Sequence, residues 1–441
     1  MAITVKLKKY QVEPSQRMLA ILTGGNVCIN ASDTGTGKTY MALHCAKELG
    51  MPVLVIAPAI AEAAWYAVAE GMGIRHLIKQ VLTIHKIRNG KTKWWDGMNW
   101  TTPPEGMLII WDEPHDGASG VKSQATRIMA KLRSASNCKV ITMSATIADT
   151  PLKLRGLGYL LGLHNYSLDS FYTWCRVHGC LNSPWARGAL VFTQNKKKQK
   201  SAMEAIRKEI GPRLVRVSKQ DTPGFPESEL HTQLFTLPAK EIREINDLID
   251  DLIEHEVNPM VIRLRARQYL ERYKAPIYAQ LAIQAVEEGN SVVLFVNFRE
   301  TMALIKDALH AKGYDKVALI HGLEAGYTKL HRDNSVAMFQ DNKVHIAIAT
   351  VQAGGVSINL HDVKQERPRV SVISPPERAS HMVQCMGRIH RMGGTHSIQT
   401  VALLSGTVEE KIYKSLQSKQ DNISTLQDDD LSWDGNIGGV G

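Results

Sequence analysis

The chain has 441 residues, 44% of them apolar and 22% charged, which excludes wholesale disorder and leaves room for two or three globular domains. Its 53 lysines and arginines outnumber 43 aspartates and glutamates, and a net charge of +10 suits a polyanionic partner, because a positive surface gains free energy by releasing counterions from phosphates. The opening MAITVKLKKYQV lacks the apolar core of a signal peptide, and the most apolar long stretch, Val53 to Ile74, is broken by Pro58, Glu62 and Glu70; an intracellular protein with no membrane partner is expected.

The first β-branched run, Asn26–Asn30, leads into Ala31-Ser-Asp-Thr-Gly-Thr-Gly-Lys-Thr39 and then a helical stretch starting MALHCAKEL. Strand, glycine loop and helix in that order make a phosphate cradle. Gly35 and Gly37 let backbone N–H groups, with those of Thr34 and Thr36, converge on phosphate oxygens at a positive helix end. Lys38 puts a point charge on the β- and γ-phosphates of a nucleotide, and the Thr39 hydroxyl suits Mg2+. Ser32 stands where the strict G-x-x-x-x-G-K-[ST] pattern has its first glycine.

Strands are expected next at Val53–Pro58 and Val81–Ile84. Lys91-Thr-Lys-Trp94-Trp95 with Trp100 mixes cations and aromatics; exposed, they would stack on bases or wedge strands apart, but tryptophans are mostly buried, and packing under the sheet is the commoner outcome. Met107–Trp111 ends at Asp112-Glu113-Pro114-His115. Carboxylates at the C-terminal end of a buried parallel strand face the crevice where ligands of open α/β sheets bind. Asp112 is expected in the Mg2+ shell and Glu113 as the group that orients and deprotonates a water. His115 reads either as a coupling neighbour or as a polar packing residue. Lys139–Met143 closes this set.

From about 152 to 270 the pattern is helical (Leu152–Leu163, Ser201–Ile210, Ala239–His255, Met260–Tyr273), with a Pro/Gly break at Asp221–Ser228. Lys196, Lys197 and Lys198, with Lys200, form a basic run between helices that either tracks a phosphate backbone or is a solvated loop. Strands return at Ser291–Val296, Lys316–Ile320, Val344–Thr350, Arg369–Ser374 and Gln399–Leu404, and an acidic tail with Asp428–Asp430 ends the chain. None of the ten runs alternates cleanly, as expected of strands buried on both faces of a parallel sheet. The reading is two α/β lobes, each a mostly parallel sheet with helices on both faces. Lobe one spans 1–151, a helical extension and linker 152–275, lobe two 276–420 and a flexible tail 421–441. The six scattered cysteines form no C-x-x-C pair and read as buried thiols.

With these motifs in place the chain resembles the superfamily 2 helicase/translocase motors. Gln384-Cys-Met-Gly-Arg388-Ile-His-Arg391 looks like their Q-x-x-G-R-x-x-R motif, which implies that Arg388 and Arg391 act as arginine fingers and that Gln384 couples the nucleotide to movement. The resemblance continues with Tyr10-Gln11 (an adenine-reading motif), Pro58 in VLVIAP and Thr83 in LTIHK (phosphate-backbone contacts), and Ser144-Ala145-Thr146 (coupling). In the second lobe FVNFRE with Asn297, His321-Gly322, and Thr350-Val-Gln352-Ala-Gly-Gly355-Val-Ser-Ile-Asn359 are similar to further family motifs; Gly355 would touch nucleotide, and Asn297, Gly322, Thr350 and Gln352 nucleic acid.

The last of these, Gly211–Pro226, Val408-Glu-Glu-Lys-Ile412 and Ala266–Phe298 look closest to the Swi/Snf-like branch and its annealing-helicase, fork-remodelling members. That branch usually carries T-G-T-P where this chain has Ser144-Ala145-Thr146, and D-R where it has Gly387-Arg388. The resemblance implies two RecA-like lobes, ATP and Mg2+ as cofactors, and a DNA-stimulated ATPase acting on duplex or forked DNA, with replication and repair as settings. A strand-separating helicase on single-stranded DNA or RNA is the alternative, and an ATP-gated DNA-binding or annealing protein without processive movement the alternative of another class. The expected state is a monomer, cytoplasmic or nucleoid-associated; the compact size suits a viral or phage-encoded motor in an infected bacterial host.

Overall fold

The computed structural model describes residues 6–90, 92–100, 106–114, 120–135, 138–184, 186–255, 258–354, 358–427 and 437–438. His115 and Gly355 lie outside them. The chain divides into two units, Met1–Pro223 with Ser418–Ser432, and Gly224–Gln417 with Trp433–Gly441.

In the first unit six strands form one sheet in the order β3-β2-β4-β5-β1-β8: β1 Val27–Asn30, β2 Val53–Ile56, β3 Ile78–Leu82, β4 Leu108–Asp112, β5 Lys139–Met143 and β8 Leu214–Val215. Every pairing is parallel. All residues of β1 and β2 are buried, which is why these runs lack alternation. One face packs against helices Lys9–Gly24, Lys38–Leu49 and Glu62–Gly71 through Met18, Met41 and Trp65. The other packs against helices Gln124–Lys131 and Lys196–Ile210 through Ile128, Met203 and Ile206. A separate antiparallel pair, β6 Cys180–Asn182 and β7 Leu190–Phe192, completes this unit.

The second unit is a seven-stranded sheet in the order β11-β12-β10-β13-β14-β9-β15, again parallel at each pairing. Its strands are β9 Ser228–Phe235, β10 Ser291–Val296, β11 Val317–Ile320, β12 Ile346–Thr350, β13 Arg369–Ile373, β14 Ser397–Leu404 and β15 Ile437–Gly438. The all-parallel order explains the strand–helix alternation of the sequence, since each return crossover needs a helix on one face.

Three expectations need correcting. The stretch 152–275 is not one extension: the division falls at Pro223/Gly224, and helices Ala239–His255 and Pro259–Tyr273 belong with the second sheet, where Ile245 and Leu270 bury beside Leu404. The second sheet therefore starts at Ser228 rather than after 276. Residues 421–427 are not a frayed tail but the end of helix Val408–Gln427, held in the first unit where Asn422 Nδ2 donates to the Asp149 carbonyl (3.1 Å) and Leu426 is buried. Lys196–Lys198 are not in a loop but in the first turn of a helix capped by Asn195, whose side chain accepts from Lys198 N. Cations at the positive end of a helix cost about 0.3–1 kcal/mol each, so propensity does not explain this run.

Candidate active site

The C-terminal edge of a parallel sheet collects the ends of its strands, and in the first unit the motif residues fall there. The phosphate loop follows β1, Pro58 follows β2, Thr83 follows β3, Asp112 ends β4, and Ser144 follows β5. Asn30 and Asp112 both register with Met143, so the strand feeding the loop and the first acid lie two strand spacings, about 10 Å, apart.

Gly35 (φ +85°) and Gly37 (φ +90°) hold the left-handed backbone that turns the loop back over the start of the helix. A side chain at Gly37 would also collide with the Gln11 amide, its Cβ 2.1 Å from Nε2. Gln11 is buried, donating to the Thr36 carbonyl (2.8 Å) and accepting from Lys8 N (2.9 Å). An amide has two N–H groups and two lone pairs, so this use leaves one of each for a ligand. The Lys38 ammonium donates to the carbonyls of Ser32 (2.8 Å) and Asp33 (3.1 Å), folded along the loop it serves.

Ser32, the departure from the glycine pattern, has a use. Its hydroxyl accepts from Val217 N (3.0 Å), tying the loop to the segment after β8. Asp33 extends the tie: its carboxylate accepts from Arg216 Nη2 (2.9 Å) and Lys219 N (2.9 Å), and its backbone N–H donates to the Val217 carbonyl (3.0 Å). Sequence reasoning missed Asp33 and Arg216 as partners. The signal was an acid inside the glycine loop, but its partner lies 183 residues away.

Glu113 stands just past β4 with φ +50°, one of three non-glycine residues with positive φ among the described residues. That backbone costs about 1–3 kcal/mol and persists only where the surroundings impose it. Here Glu113 N donates to the Met143 carbonyl (2.8 Å), and its Oε2 accepts from the Ser144 hydroxyl (2.8 Å). Thr146 N donates to the same hydroxyl oxygen (2.9 Å), and Gln427 Nε2 donates to the Ala145 carbonyl (2.9 Å). The acid and the Ser144-Ala145-Thr146 segment are thus one hydrogen-bonded piece, tied to the end of the last helix.

The tryptophans pack: Trp94 and Trp95 are buried in the core of the first unit, and Trp94 Nε1 donates to Gln80 (2.8 Å). Thr83 caps helix Ile84–Arg88, its hydroxyl accepting from Lys86 N (3.1 Å). This cap ends β3 at Leu82 and puts Ile84 in the helix rather than in the strand. Pro58 is half-buried, while Lys196, Lys197 and Lys198 are exposed.

The second unit has the same kind of edge. Thr350 ends β12 in register with Val296 of β10, which places Asn297 beside it. Thr350 is buried, Gln352 exposed, and the Gly322 carbonyl accepts from Arg299 Nη2 (2.9 Å). The Asn297 side chain turns inward, donating to Glu271 Oε1 (2.8 Å) and the Pro375 carbonyl (3.2 Å), so its amide is a latch within the unit. Glu271, 1% exposed, also accepts from Asn297 N, Phe298 N and the Thr301 hydroxyl, capping helix Arg299–His310 from outside it.

Helix Ala379–Ile389 carries Gln384 and Arg388, both buried, and Arg391 follows it, half-buried. Their surroundings differ. Arg388 Nη1 donates to the Ile358 carbonyl (3.1 Å), whereas Arg391 donates through Nε to the Gly387 carbonyl (2.8 Å). Burial, then the neighbouring Arg388 guanidinium, pull Arg391 down to about 9, which leaves it charged at neutral pH. Burial, then Arg391 and Arg369, pull His361 down to about 4, which keeps that imidazole neutral beside them. The six cysteines are all buried and unpaired, as the spacing suggested. No helix among the described residues is long and apolar enough to cross a membrane.

The helicase conserved C-terminal domain family matches residues 274–393. A putative ATP-dependent RNA helicase, L364 of Acanthamoeba polyphaga mimivirus, is 27% identical over 97% of this chain and 85% of its own length. The SNF2 domain-containing protein ENL1 of Oryza sativa subsp. japonica is 32% identical, over 29% of this chain and 12% of its own. Among solved structures, the Sulfolobus solfataricus SWI2/SNF2 ATPase core in complex with dsDNA aligns with 96% of this chain and 95% of that chain at 19% identity and a TM-score of 0.38. These relatives give no support to a phage origin.

Proposed function

We propose, from the premise that this chain is an ATP-hydrolysing enzyme of the helicase type with Swi/Snf-like similarity, that it is a nucleic-acid-stimulated motor moving on duplex or forked DNA. The residues fit a magnesium triphosphate: an ammonium on the phosphate loop, a hydroxyl beside it, and two carboxylates at the end of β4. Thr39 and Asp112 would hold the magnesium, which supplies neutralising charge between the β- and γ-phosphates. Thr34–Thr39 offer backbone N–H groups to the phosphates, Tyr10 and Gln11 read the adenine, and Glu113 orients the attacking water and takes its proton. Arg391 meets the charge that develops on the γ-phosphate oxygens, with Arg388 beside it, while Gly355 completes the nucleotide contacts.

One observation carries this reading: the Ser144 hydroxyl donates to the carboxylate of a Glu113 held in a left-handed backbone at the sheet edge. A strained, oriented acid bonded to the neighbouring motif suits a group that both activates water and senses movement. His115 and Gln384 fit the same coupling. Pro58, Thr83, Asn297, Gly322, Thr350, Gln352 and Lys196–Lys198 remain the proposed nucleic-acid contacts; the Asn297 Nδ2 group is used within the unit, which leaves its carbonyl oxygen for such a contact.

The DNA track rests on the A-G-G-V-S-I-N-L stretch and on the SNF2-type relatives. A second reading, an RNA helicase, is favoured by the name of the relative that aligns along nearly the whole chain. Steady-state ATP hydrolysis measured with duplex DNA, forked DNA, single-stranded DNA and RNA at two salt concentrations separates them. Duplex or forked DNA is expected to stimulate at least tenfold, falling steeply with salt as phosphate contacts are screened. Stimulation by RNA alone would replace the DNA reading with the second one.

A further inference from the structure

The edge of the first sheet beyond β8 holds a cavity of about 890 Å3. Its cations come from three parts of the chain: Arg17 on helix Lys9–Gly24, Arg207 and Lys208 at the end of helix Lys196–Ile210, and Arg216 just past β8. Ser218 and Gln220 add neutral donors, and Glu204 and Asp221 are the acids in the lining among the described residues. Four cations against two carboxylates leave the interior positive. Among the described residues no aromatic ring lines it as a platform for a base, and a guanidinium-rich wall suits phosphate oxygens. Neither Tyr10, Gln11 nor any residue of the phosphate loop lines it, so it is separate from the nucleotide site.

Two further observations connect this cavity to its surroundings. Lys197, Lys200, Glu204 and Lys208 follow one another at three- and four-residue spacing, which puts them on one face of their helix, with the exposed lysines leading toward the cavity. The first turn of the helix carries Lys196, Lys197 and Lys198 against its own dipole, a cost that an approaching phosphate chain would offset. At the other side Arg216 links two sites: Nη1 donates to the Gln427 carbonyl (3.1 Å), and Nη2 to Asp33 Oδ1 (2.9 Å) in the phosphate loop. The Asp33 carbonyl in turn accepts from the Thr36 hydroxyl (2.8 Å) and from Lys38 Nζ (3.1 Å).

We propose that this cavity is a second anion site, which takes phosphate groups whatever base they carry and is coupled to the phosphate loop through Arg216 and Asp33. An anion that engages Arg216 competes with Asp33, so occupancy of the cavity shifts the setting of the loop on which Lys38 lies. By linkage, nucleotide in the loop changes the affinity of the cavity by the same factor. Phosphates reach such a site either along a nucleic-acid backbone or as free polyphosphate; the lysine-bearing helix face favours the backbone.

The test uses the full chain carrying Lys38→Ala, which weakens competition from the phosphate loop, titrated calorimetrically with sodium tripolyphosphate and with an abasic phosphodiester oligomer of about 12 units. Adding Arg17→Ala and Lys208→Ala is expected to weaken binding of the oligomer at least tenfold. The dependence of log K on log salt should fall by about 1.5, since each lost phosphate contact removes roughly 0.7–0.9 from the slope. Loss for the oligomer alone assigns the phosphates to a nucleic-acid backbone, and loss for tripolyphosphate assigns them to a free polyphosphate. Unchanged binding of both probes overturns the site. Arg17→Ala/Lys208→Ala in a chain with Lys38 intact keeps its unstimulated ATP hydrolysis, which separates failure of this proposal from failure of the motor reading.

Discussion

Glu113→Gln reduces steady-state ATP hydrolysis by at least about a hundredfold while the protein stays folded and still binds nucleotide. The amide keeps the size of the side chain and still accepts from the Ser144 hydroxyl, but it takes no proton from water. Lys38→Ala fails differently. It removes the charge that the loop presents to the β- and γ-phosphates, so nucleotide affinity falls together with turnover. Fluorescent-nucleotide titration beside a phosphate-release assay distinguishes the two. Normal turnover by Glu113→Gln would remove the acid from the chemistry and reduce its left-handed backbone to a structural accident.

The largest stability effect belongs to a buried ion pair in the second unit. Lys274, fully buried, donates to Glu409 Oε1 (2.7 Å) and to the Ser374 hydroxyl (3.0 Å), and Glu409 Oε2 accepts from Leu404 N (3.0 Å). Burial alone would lower the lysine, but Glu409, Tyr278 and Glu271 together outweigh it and raise the group above its usual value, so the amine stays charged. Removing one partner strands the other charge, at a cost of about 3–5 kcal/mol. Glu409→Ala and Lys274→Met are therefore each expected to lower the melting transition by on the order of 10 °C. The double replacement Lys274→Met/Glu409→Leu should recover most of that loss, because burying two apolar side chains strands no charge. Additive losses in the double variant would mean that the pair is not the source of the effect.

Much of the fold was legible because its strands are buried on both faces. SVVLFV at β10 and VLVI at β2 cannot be read as amphipathic elements, and every residue in both is buried. Two of the strands that escaped notice have the opposite character. SELHTQLF at β9 is half-exposed and polar along much of its length, and β8 is two residues long, recognisable only by its pairing with Ile29 and Asn30. The glycine loop, the acids and the Ser144-Ala145-Thr146 segment were readable as local strings. The clamp that joins them was not: Asp33 with Arg216, and Ala145 with Gln427, are pairs far apart in sequence between polar side chains and backbone, for which no local pattern exists. Asn297 is a similar case: its Nδ2 donates to Glu271 and to the Pro375 carbonyl, partners that its motif does not point to.

The proposed motor depends on Arg391 acting on the same triphosphate that Lys38 holds. The most direct measurement is ATP turnover by Arg391→Ala on saturating duplex DNA, with nucleotide affinity determined in parallel. The expected result is a loss of at least about a hundredfold in turnover with affinity changed only a few fold, because the guanidinium acts on charge that develops during the reaction. Turnover equal to that of the unaltered chain would contradict the account.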